Sequence, residues 1–121
     1  MSLFHHVVDI TELVNQFKTR SIIAYGCGDG MDYIRERCHV AWGADRPYLY
    51  DPNSKQFNAK PNGKYQGLIC IGWLGSVTDE QAEIALRDMA QLTTQWAYIV
   101  TSRNVQGYFQ PDVKVVARHP V

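Results

Sequence analysis

The chain has 121 residues, 45% of them hydrophobic, which fits one soluble domain with a core of its own. Its 12 basic and 12 acidic residues cancel, so we do not expect the positive field typical of nucleic-acid or anionic-membrane binding. No apolar run approaches the ~18 residues of a membrane span, and the start of the chain does not resemble a secretory signal. The cysteines Cys27, Cys38 and Cys70 form no C-x-x-C pair, and their odd number predicts reduced thiols in a cytoplasm.

The first part of the chain predicts a helix, a strand and a glycine-rich turn. Asp9 can cap a helix, because Glu12 lies three residues on. The apolar residues that would share one face of this helix are Ile10, Leu13, Val14 and Phe17. The apolar run at 21–25 predicts a strand that leads into Gly26-Cys27-Gly28-Asp29-Gly30. Residues 31–38 then predict a helix of about two turns.

The middle of the chain predicts two strands separated by a long loop. Residues 39–46 show no regular pattern, whereas residues 47–51 predict a strand with a proline at its first position, where it is tolerated. Residues 52–64 are rich in Asn, Pro, Lys and Gly, which predicts a loop. The apolar run from Tyr65 to Ile71 predicts the next strand.

The C-terminal part begins with the clearest helix signal in the chain. Thr78 can cap a helix and Gln81 can complete a capping box, with two acidic residues in the first turn. Residues 96–101 are aromatic and β-branched, which predicts a strand, and residues 113–116 are the best candidate for a further edge strand. Because exposed edges are usually paired or blunted, an uncovered last strand predicts a homodimer.

The alternation of strands and helices predicts the fold class. It is typical of βαβ units with right-handed crossovers, and the apolar strands fit a parallel sheet covered on both faces. We therefore expect a single α/β domain over residues 1–121, with a doubly wound, mostly parallel sheet that is shortened at its C-terminal end.

The glycine-rich turn at residues 26–30 has the composition of a ligand-binding loop. Glycine permits positive φ and lets a ligand approach the backbone, while the following helix presents free N–H groups and a partial positive charge. Such a loop suits a nucleotide or a carboxylate-bearing adenosyl ligand. Its spacing is not the G-x-G-x-x-G of dinucleotide folds, and no P-loop lysine follows. The alternative is a tight turn that only reverses the chain.

Two separate blocks of the chain, the second in two parts, resemble one protein family. Ala-Tyr-Gly-Cys-Gly-Asp-Gly at 24–30 resembles D/E-x-G-x-G-x-G, the first motif of class I S-adenosylmethionine (SAM)-dependent methyltransferases. Leu-Tyr-Asp-Pro at 49–52 and Lys-Pro-Asn-Gly-Lys-Tyr-Gln-Gly-Leu-Ile-Cys at 60–70 are similar to L-Y-D-P and K-P-E-G-K-F-D-G-V-I-C-T-D-V-L-E-H of small phage-borne methyltransferase-like proteins. The resemblance spans residues 22–101. It implies a Rossmann-like fold, SAM as cofactor and, for a phage-encoded chain, the host cytoplasm.

The resemblance also implies the positions of the cofactor site. They are Tyr25, Gly26, Cys27, Gly28, Asp29, Gly30, Asp51, Gly72 and Trp73. Asp51 would bind the ribose hydroxyls, since a carboxylate accepts two hydrogen bonds and charge-assisted bonds are strong. Asp45 is a second candidate for this role, and either aspartate can instead be a turn residue. Trp73 would either cover the adenine or close an emptied pocket.

Several positions depart from the family pattern. The family has acidic or histidine side chains where this chain has Ala24, Gln66, Gly72, Gly75 and Ser76. Glycine cannot accept a proton, so no catalytic base can be assigned, although positioning alone can supply much of the rate of methyl transfer. Two functions follow: methyl transfer to an unidentified substrate, or a catalytically degenerate fold that binds SAM, S-adenosylhomocysteine (SAH) or a protein. A pocket filled by Trp73 or Tyr25 would favour the second.

Other polar residues predict little chemistry. The His5-His6 and Cys38-His39 pairs lack a third ligand or zinc spacing, so no metal is expected. A helix N-terminus can lower a thiol pKa, but G-C-G is common in methyltransferase loops, and we interpret Cys27 as a packing residue. Ser-Arg-Asn at 102–104 could meet a substrate anion or form a polar loop.

Overall fold

The computed structural model of the protein describes residues 3–31, 33 and 38–120. Its helices are α1 (Val7–Phe17), α2 (Cys38–Trp42) and α3 (Asp79–Leu92). Its strands are β1 (Ile22–Tyr25), β2 (Tyr48–Tyr50), β3 (Tyr65–Ile71), β4 (Thr93–Val100) and β5 (Lys114–Arg118). Short 3-10 turns lie at Leu3–His6 and Trp73–Gly75. The helix predicted over residues 31–38 falls largely outside the described residues.

The five strands form one parallel sheet in the order β2-β1-β3-β4-β5. In the middle of the sheet, Ile23 of β1 lies opposite Tyr48 on one side and Leu68 on the other. The predicted α/β class is thereby confirmed. The order reverses at β1, because the chain moves outward to β2 and then returns to the far side of β1. Open α/β sheets bind ligands outside the carboxyl ends of the strands at such a reversal.

Helices cover both faces of the sheet, which accounts for strands that are apolar on both sides. On one face, α1 contributes to a buried cluster that includes Ile10, Leu13, Val14, Ile22, Ile69 and Trp96. On the other face, α3 contributes to a cluster that includes Ala82, Ala85, Leu86, Met89, Ile23, Leu68 and Ile99. The reversal of strand order therefore lies between two packed layers.

The longest described helix, α3, begins where the sequence predicts. Thr78 Oγ1 accepts a hydrogen bond from Gln81 N at 3.1 Å, and Gln81 Oε1 accepts one from Thr78 N at 3.3 Å, which completes the capping box. Asp79 and Glu80 lie in the first turn, where the helix dipole favours negative charge. Among the helices that the structure describes, none has the length and apolar character needed to cross a membrane.

The first two helices differ from the predictions. α1 begins at Val7 rather than at Asp9, so the predicted Asp9 cap is wrong, and Asp9 instead accepts a hydrogen bond from Tyr98 Oη at 3.0 Å. α2 begins at Cys38, the last residue of the predicted helix, and continues over residues 39–42, which were predicted to be irregular. Its Trp42 Nε1 donates to Thr11 Oγ1 of α1 at 2.7 Å, a long-range contact that no local sequence pattern indicates.

The last two strands also differ in their bounds. β4 begins at Thr93, earlier than the predicted 96, and Thr93 already pairs with Tyr65 of β3. The prediction missed residues 93–95 because they are polar and follow α3 without a loop. β5 ends at Arg118, and Lys114 and Arg118 place charges on this edge strand, a common way to blunt an edge. The homodimer stays a prediction, and a monomer by light scattering at high concentration would contradict it.

The crossover from β2 to β3, residues 51–64, is described throughout and contains no helix. Turns hold it instead: Asp51 N donates to Phe57 O at 2.9 Å, and Tyr48 Oη donates to Ala59 O at 2.8 Å. On the α3 side of the sheet, the carboxyl ends of β1 and β2 are therefore covered by a loop.

Candidate functional site

The glycine loop, residues 26–30, leaves the carboxyl end of β1 at the reversal of strand order. Gly26, Gly28 and Gly30 have φ values of 76°, 61° and 73°, a region that residues with a Cβ rarely adopt. The predicted role of these glycines in allowing positive φ is confirmed. This conformation alone does not require a ligand.

The backbone N–H groups of Gly26, Cys27 and Gly28 in the glycine loop already have acceptors within the protein. Gly26 N and Cys27 N both donate to Tyr50 O, at 2.7 and 3.3 Å. Gly28 N donates to Asp51 Oδ2 at 2.9 Å. An anionic ligand at this loop would need these same donors, so it would have to displace protein acceptors from them.

Asp29 holds the far end of the glycine loop. Its Oδ1 accepts a hydrogen bond from Met31 N at 3.0 Å, and Gly30 N donates to Cys27 O at 2.9 Å. The turn is thus fixed by a side chain and a carbonyl of the loop itself.

Asp51 lies directly after β2 and is 4% exposed. Its second oxygen, Oδ1, accepts a hydrogen bond from Asn53 N at 2.8 Å, so both carboxylate oxygens are paired with backbone N–H groups. The structure brings Asp51, and not Asp45, to the glycine loop. Asp45 is exposed, precedes β2 and donates its N–H to Arg20 O at 2.9 Å. It therefore lies at the amino ends of the strands, opposite the glycine loop.

Trp73, the second residue after β3, lies directly on Gly26. A Cβ added to Gly26 would lie 2.3 Å from Trp73 Cγ and 2.4 Å from Trp73 Cβ, whereas one added to Gly28 would meet nothing within 4 Å. Trp73 is 9% exposed, so its indole belongs to the core. We call the space beside the glycine loop at the carboxyl ends of the strands the crevice. Trp73 closes the crevice at Gly26, which fits the second role predicted for this residue, the closing of an emptied pocket.

Tyr25, Tyr50 and Trp73 form an aromatic cluster at the carboxyl ends of β1 and β2. The Tyr25 ring lies 5.0 Å from Tyr50 at 77° and 5.6 Å from Trp73 at 67°, the edge-on arrangement that aromatic quadrupoles favour. Tyr25 Oη donates to Asp88 Oδ2 of α3 at 2.9 Å. Burial, followed by the charge of Asp88, raises the pKa of Tyr25 above its ordinary value, so its hydroxyl stays a donor at neutral pH.

Cys27 sits inside the glycine loop and is partly buried. Burial, followed by the charge of Asp51, raises the pKa of its thiol to about 12. The thiol is therefore protonated at neutral pH, which supports the packing interpretation. A loop that presented a positive potential to an anion would lower this pKa instead.

Four of the five departures from the family pattern lie in or next to the crevice region. Ala24 is fully buried inside β1. Gly72 directly follows β3, and Gly75 and Ser76 lie further on at the exposed surface. Ser76 Oγ donates to Trp73 O at 2.7 Å, so it stabilises the turn that carries the indole. None of these four side chains offers a proton acceptor with a pKa near neutrality.

Gln66, the fifth departure, lies away from the glycine loop. It stands near the amino end of β3, where its Oε1 accepts hydrogen bonds from Arg20 N at 2.7 Å and Ser21 N at 3.1 Å. Since these residues directly precede β1, Gln66 lies at the amino ends of the strands and satisfies two backbone N–H groups there. The replacement of an acid here does not bear on the crevice at the carboxyl edge.

Arg103 is also committed to structure. Its Nε donates to Leu74 O at 2.7 Å, one Nη to Val77 O at 2.9 Å and the other to Asp79 Oδ1 at 2.7 Å. These bonds tie the loop after β4 to the segment before α3. The polar-loop interpretation of residues 102–104 therefore fits better than contact with a substrate anion.

A cavity of about 480 Å³ opens beside the aromatic cluster, and we call it the aromatic groove. Tyr25, Tyr50 and Trp73 form its floor. Its α3 wall consists of Gln81, Ile84, Ala85, Arg87, Asp88 and Gln91, and its crossover wall of Pro52, Asn53, Lys60 and Pro61. The volume lies in the range of roughly 300–1,000 Å³ found for small-molecule sites. The predicted cofactor residues Tyr25 and Trp73 line this cavity, and the three loop glycines do not.

Asp88 and Ile84 are groove residues that the sequence analysis missed. Asp88 follows the buried Ala85 by three residues and Ile84 by four, and residues at these spacings share one face of a helix. A carboxylate placed beside the apolar stripe of α3 was therefore a usable signal.

The fold and this region together define a parallel α/β domain whose glycine loop is closed by the protein's own groups. Comparisons with protein-family models, with curated proteins and with solved structures gave no match. Within the described ranges, no group of three or more His, Cys, Asp or Glu side chains could hold a metal ion. The geometry of the glycine loop and the aromatic groove is therefore what bears on function.

Proposed function

We propose that this chain is a catalytically inactive methyltransferase-like domain that acts as a binding module. The observation that carries the proposal is the hydrogen bond from Gly28 N to Asp51 Oδ2 at 2.9 Å. It pairs the donor that a cofactor would need with the carboxylate expected to bind its ribose. A loop and an acid that satisfy each other form a structural turn.

The position of Trp73 supports the same proposal. Opening the crevice would break a hydrogen bond to a carboxylate, which is worth about 1.5–3 kcal/mol, and would expose an indole, which costs about 2 kcal/mol more. A total of about 4 kcal/mol lowers affinity about a thousandfold, so a micromolar adenosyl ligand would bind at about millimolar concentration.

The absence of a proton acceptor at Gly72 and Gly75 supports a binding role over catalysis. The reducing cytoplasm predicted from the cysteines is part of the proposal, and Cys27 and Cys70 are free thiols. The chain's partners in this role would be a ligand or a protein rather than a substrate.

An active SAM-dependent methyltransferase with an unidentified substrate is the second candidate. The observation that favours it is the placement of the glycine loop and Asp51 together at the reversal of strand order, where ligands bind in this kind of sheet. For this function Trp73 would have to leave Gly26, and Asp51 would have to release Gly28.

Isothermal titration with SAM and with SAH separates the two candidates. We expect neither ligand to bind the wild-type protein with a Kd below about 1 mM, because the loop donors and Asp51 are occupied. Asp51→Ala and its matched control Asp45→Ala should then titrate like the wild type. Micromolar binding of both ligands that Asp51→Ala removes and Asp45→Ala keeps would overturn the proposal and support the enzyme.

A further inference from the structure

The floor of the aromatic groove combines aromatic rings with one carboxylate. Tyr50 and Trp73 lie edge-on to Tyr25, at 5.0 and 5.6 Å, and all three residues line the same cavity, each at most 9% exposed. Asp88 borders this floor and accepts the Tyr25 hydroxyl at 2.9 Å through Oδ2. Tyr25 therefore joins the carboxylate to the other two rings.

The charge of Asp88 has no cationic partner in the part of the chain that the structure describes. Its sequence neighbour Arg87 pairs instead with Glu83, through Nε at 3.0 Å and Nη2 at 2.9 Å. Tyr25 is the one donor recorded for Asp88 within residues 3–31, 33 and 38–120, and it binds Oδ2, which leaves Oδ1 for a ligand. Asp88 is half-buried and lines the groove, so a cationic ligand there would pair with its carboxylate through a charge-assisted interaction.

The groove exists because the crossover at 51–64 has no helix to fill the space beside α3. Its wall includes Ile84, which is 63% exposed although it stands next to the buried Ala85. An exposed isoleucine above an aromatic floor offers apolar contact to the methyl or methylene groups of a ligand.

We propose that the aromatic groove binds a small organic cation of the methylated-ammonium class, with Asp88 as its counter-ion and Tyr25, Tyr50 and Trp73 as its aromatic surface. Aromatic faces attract such cations through the ring quadrupole, and a neighbouring carboxylate adds a direct charge interaction. The inference deepens the proposed function, because Trp73 forms the floor only while it stays on Gly26. Lys60 lines the crossover wall and opposes the ligand's charge from that side.

Choline and its uncharged carbon isostere 3,3-dimethylbutan-1-ol are the matched probes for this proposal. They have the same shape, so a difference in affinity reports the positive charge. We expect choline to bind with a Kd of about 1 mM, and the isostere at least about tenfold more weakly, by titration calorimetry and by shifts of the Trp73 indole resonance. Equal affinities, or no binding of choline, would overturn the proposal.

Substitutions then locate the site. Asp88→Asn keeps an oxygen that accepts the Tyr25 hydroxyl but removes the charge, and we expect choline to bind about tenfold more weakly. Lys60→Ala removes a like charge, and we expect binding about twofold tighter. Glu80→Gln changes the net charge as Asp88→Asn does, on an exposed position of α3, and should leave the affinity unchanged. Equal weakening by Asp88→Asn and Glu80→Gln would mean a general field effect and would overturn the site.

SAM and SAH distinguish this proposal from the proposed function. SAM carries a sulfonium cation and SAH does not, so weak binding of SAM alone that choline displaces fits the aromatic groove. Tight binding of both, undisturbed by choline, would overturn the proposed function. The groove would then be judged by the choline titration on its own.

Discussion

The glycine loop and the aromatic groove lie side by side at the carboxyl edge of the sheet and share Trp73. In the glycine loop, the N–H groups of Gly26 and Gly28 and both oxygens of Asp51 have partners inside the protein. In the aromatic groove, Asp88 has an oxygen without a recorded partner in the described residues, beside a cavity of about 480 Å³. The region with the recognisable motif is closed, and the region without one is open.

This difference shows that a glycine motif can keep its backbone conformation without binding a ligand. A run of glycines specifies a backbone with positive φ, and a turn needs that backbone as much as a ligand does. Whether a ligand binds depends on polar groups that the fold leaves unpaired, because a donor that is already paired must break its hydrogen bond before it can bind a ligand.

The largest effect is expected from alanine at Gly26, compared with alanine at Gly28. Both residues have positive φ, so each substitution carries a backbone penalty of about 1–2 kcal/mol. Only at Gly26 does the new methyl group collide with Trp73, which adds about 1–3 kcal/mol. Urea denaturation should show a clearly larger loss of unfolding free energy for Gly26→Ala. Equal losses would mean that Trp73 does not sit on Gly26 in solution.

The next effect is the stability that Asp51 gives to the loop. Asp51→Ala removes two hydrogen bonds between a carboxylate and backbone N–H groups, and we expect it to lower the unfolding free energy by about 2–3 kcal/mol. Asp45→Ala, on the exposed opposite edge, should change it by less than about 0.5 kcal/mol. Thermal and urea unfolding of both variants measure this difference, and similar values would contradict the structural role of Asp51.

A smaller effect concerns the reactivity of Cys27. Its thiol pKa of about 12 leaves little thiolate at neutral pH, although the residue is only partly buried. Iodoacetamide should therefore label Cys27 at least about tenfold more slowly in the folded protein than after denaturation, at about pH 8, by peptide mass spectrometry. Rapid labelling in the folded state would indicate the positive potential of an anion-binding loop.

The smallest effect tests the hydroxyl that links the two regions. Tyr25→Phe removes the hydrogen bond to Asp88 and keeps the ring, so we expect a loss of about 1 kcal/mol in unfolding free energy. The aromatic contacts with Tyr50 and Trp73 should persist. A much larger loss would show that the Tyr25 ring had moved, and would contradict the arrangement of rings described for the aromatic groove.

Local sequence signals predicted part of the fold correctly. The strand at Tyr65–Ile71 and the start of α3 at Thr78 were correct, since an apolar run and a capping box are determined within a few residues. The helix at Cys38–Trp42 was missed, because the Trp42 hydrogen bond to Thr11 joins residues far apart in the chain.

The site was harder to predict for the same reason. The resemblance implied that Gly26–Gly30 lie together with Asp51, with Asp45 as an alternative, and the structure brings Asp51 to the glycine loop. The closure by Trp73 and the cap formed by Gln66 depend on contacts across the sheet, which spacing along the chain does not specify. The loop over residues 52–64 was predicted from its composition, but its packing beside the α3 face that carries Asp88 is a tertiary contact that local patterns do not specify.

Two tryptophans in this domain each rest on a glycine of a neighbouring strand or loop. Trp73 rests on Gly26, and the Trp96 ring lies against Gly67, where an added Cβ would approach to within 2.2 Å. In evolutionary terms each pair must change together, since a larger residue at the glycine requires a smaller one at the tryptophan. Among descendants of a common ancestor, Gly26 would then persist wherever Trp73 persists, with no cofactor to select for it. Retention of Gly26 across a lineage would then record a steric pairing with Trp73 and not a conserved chemistry.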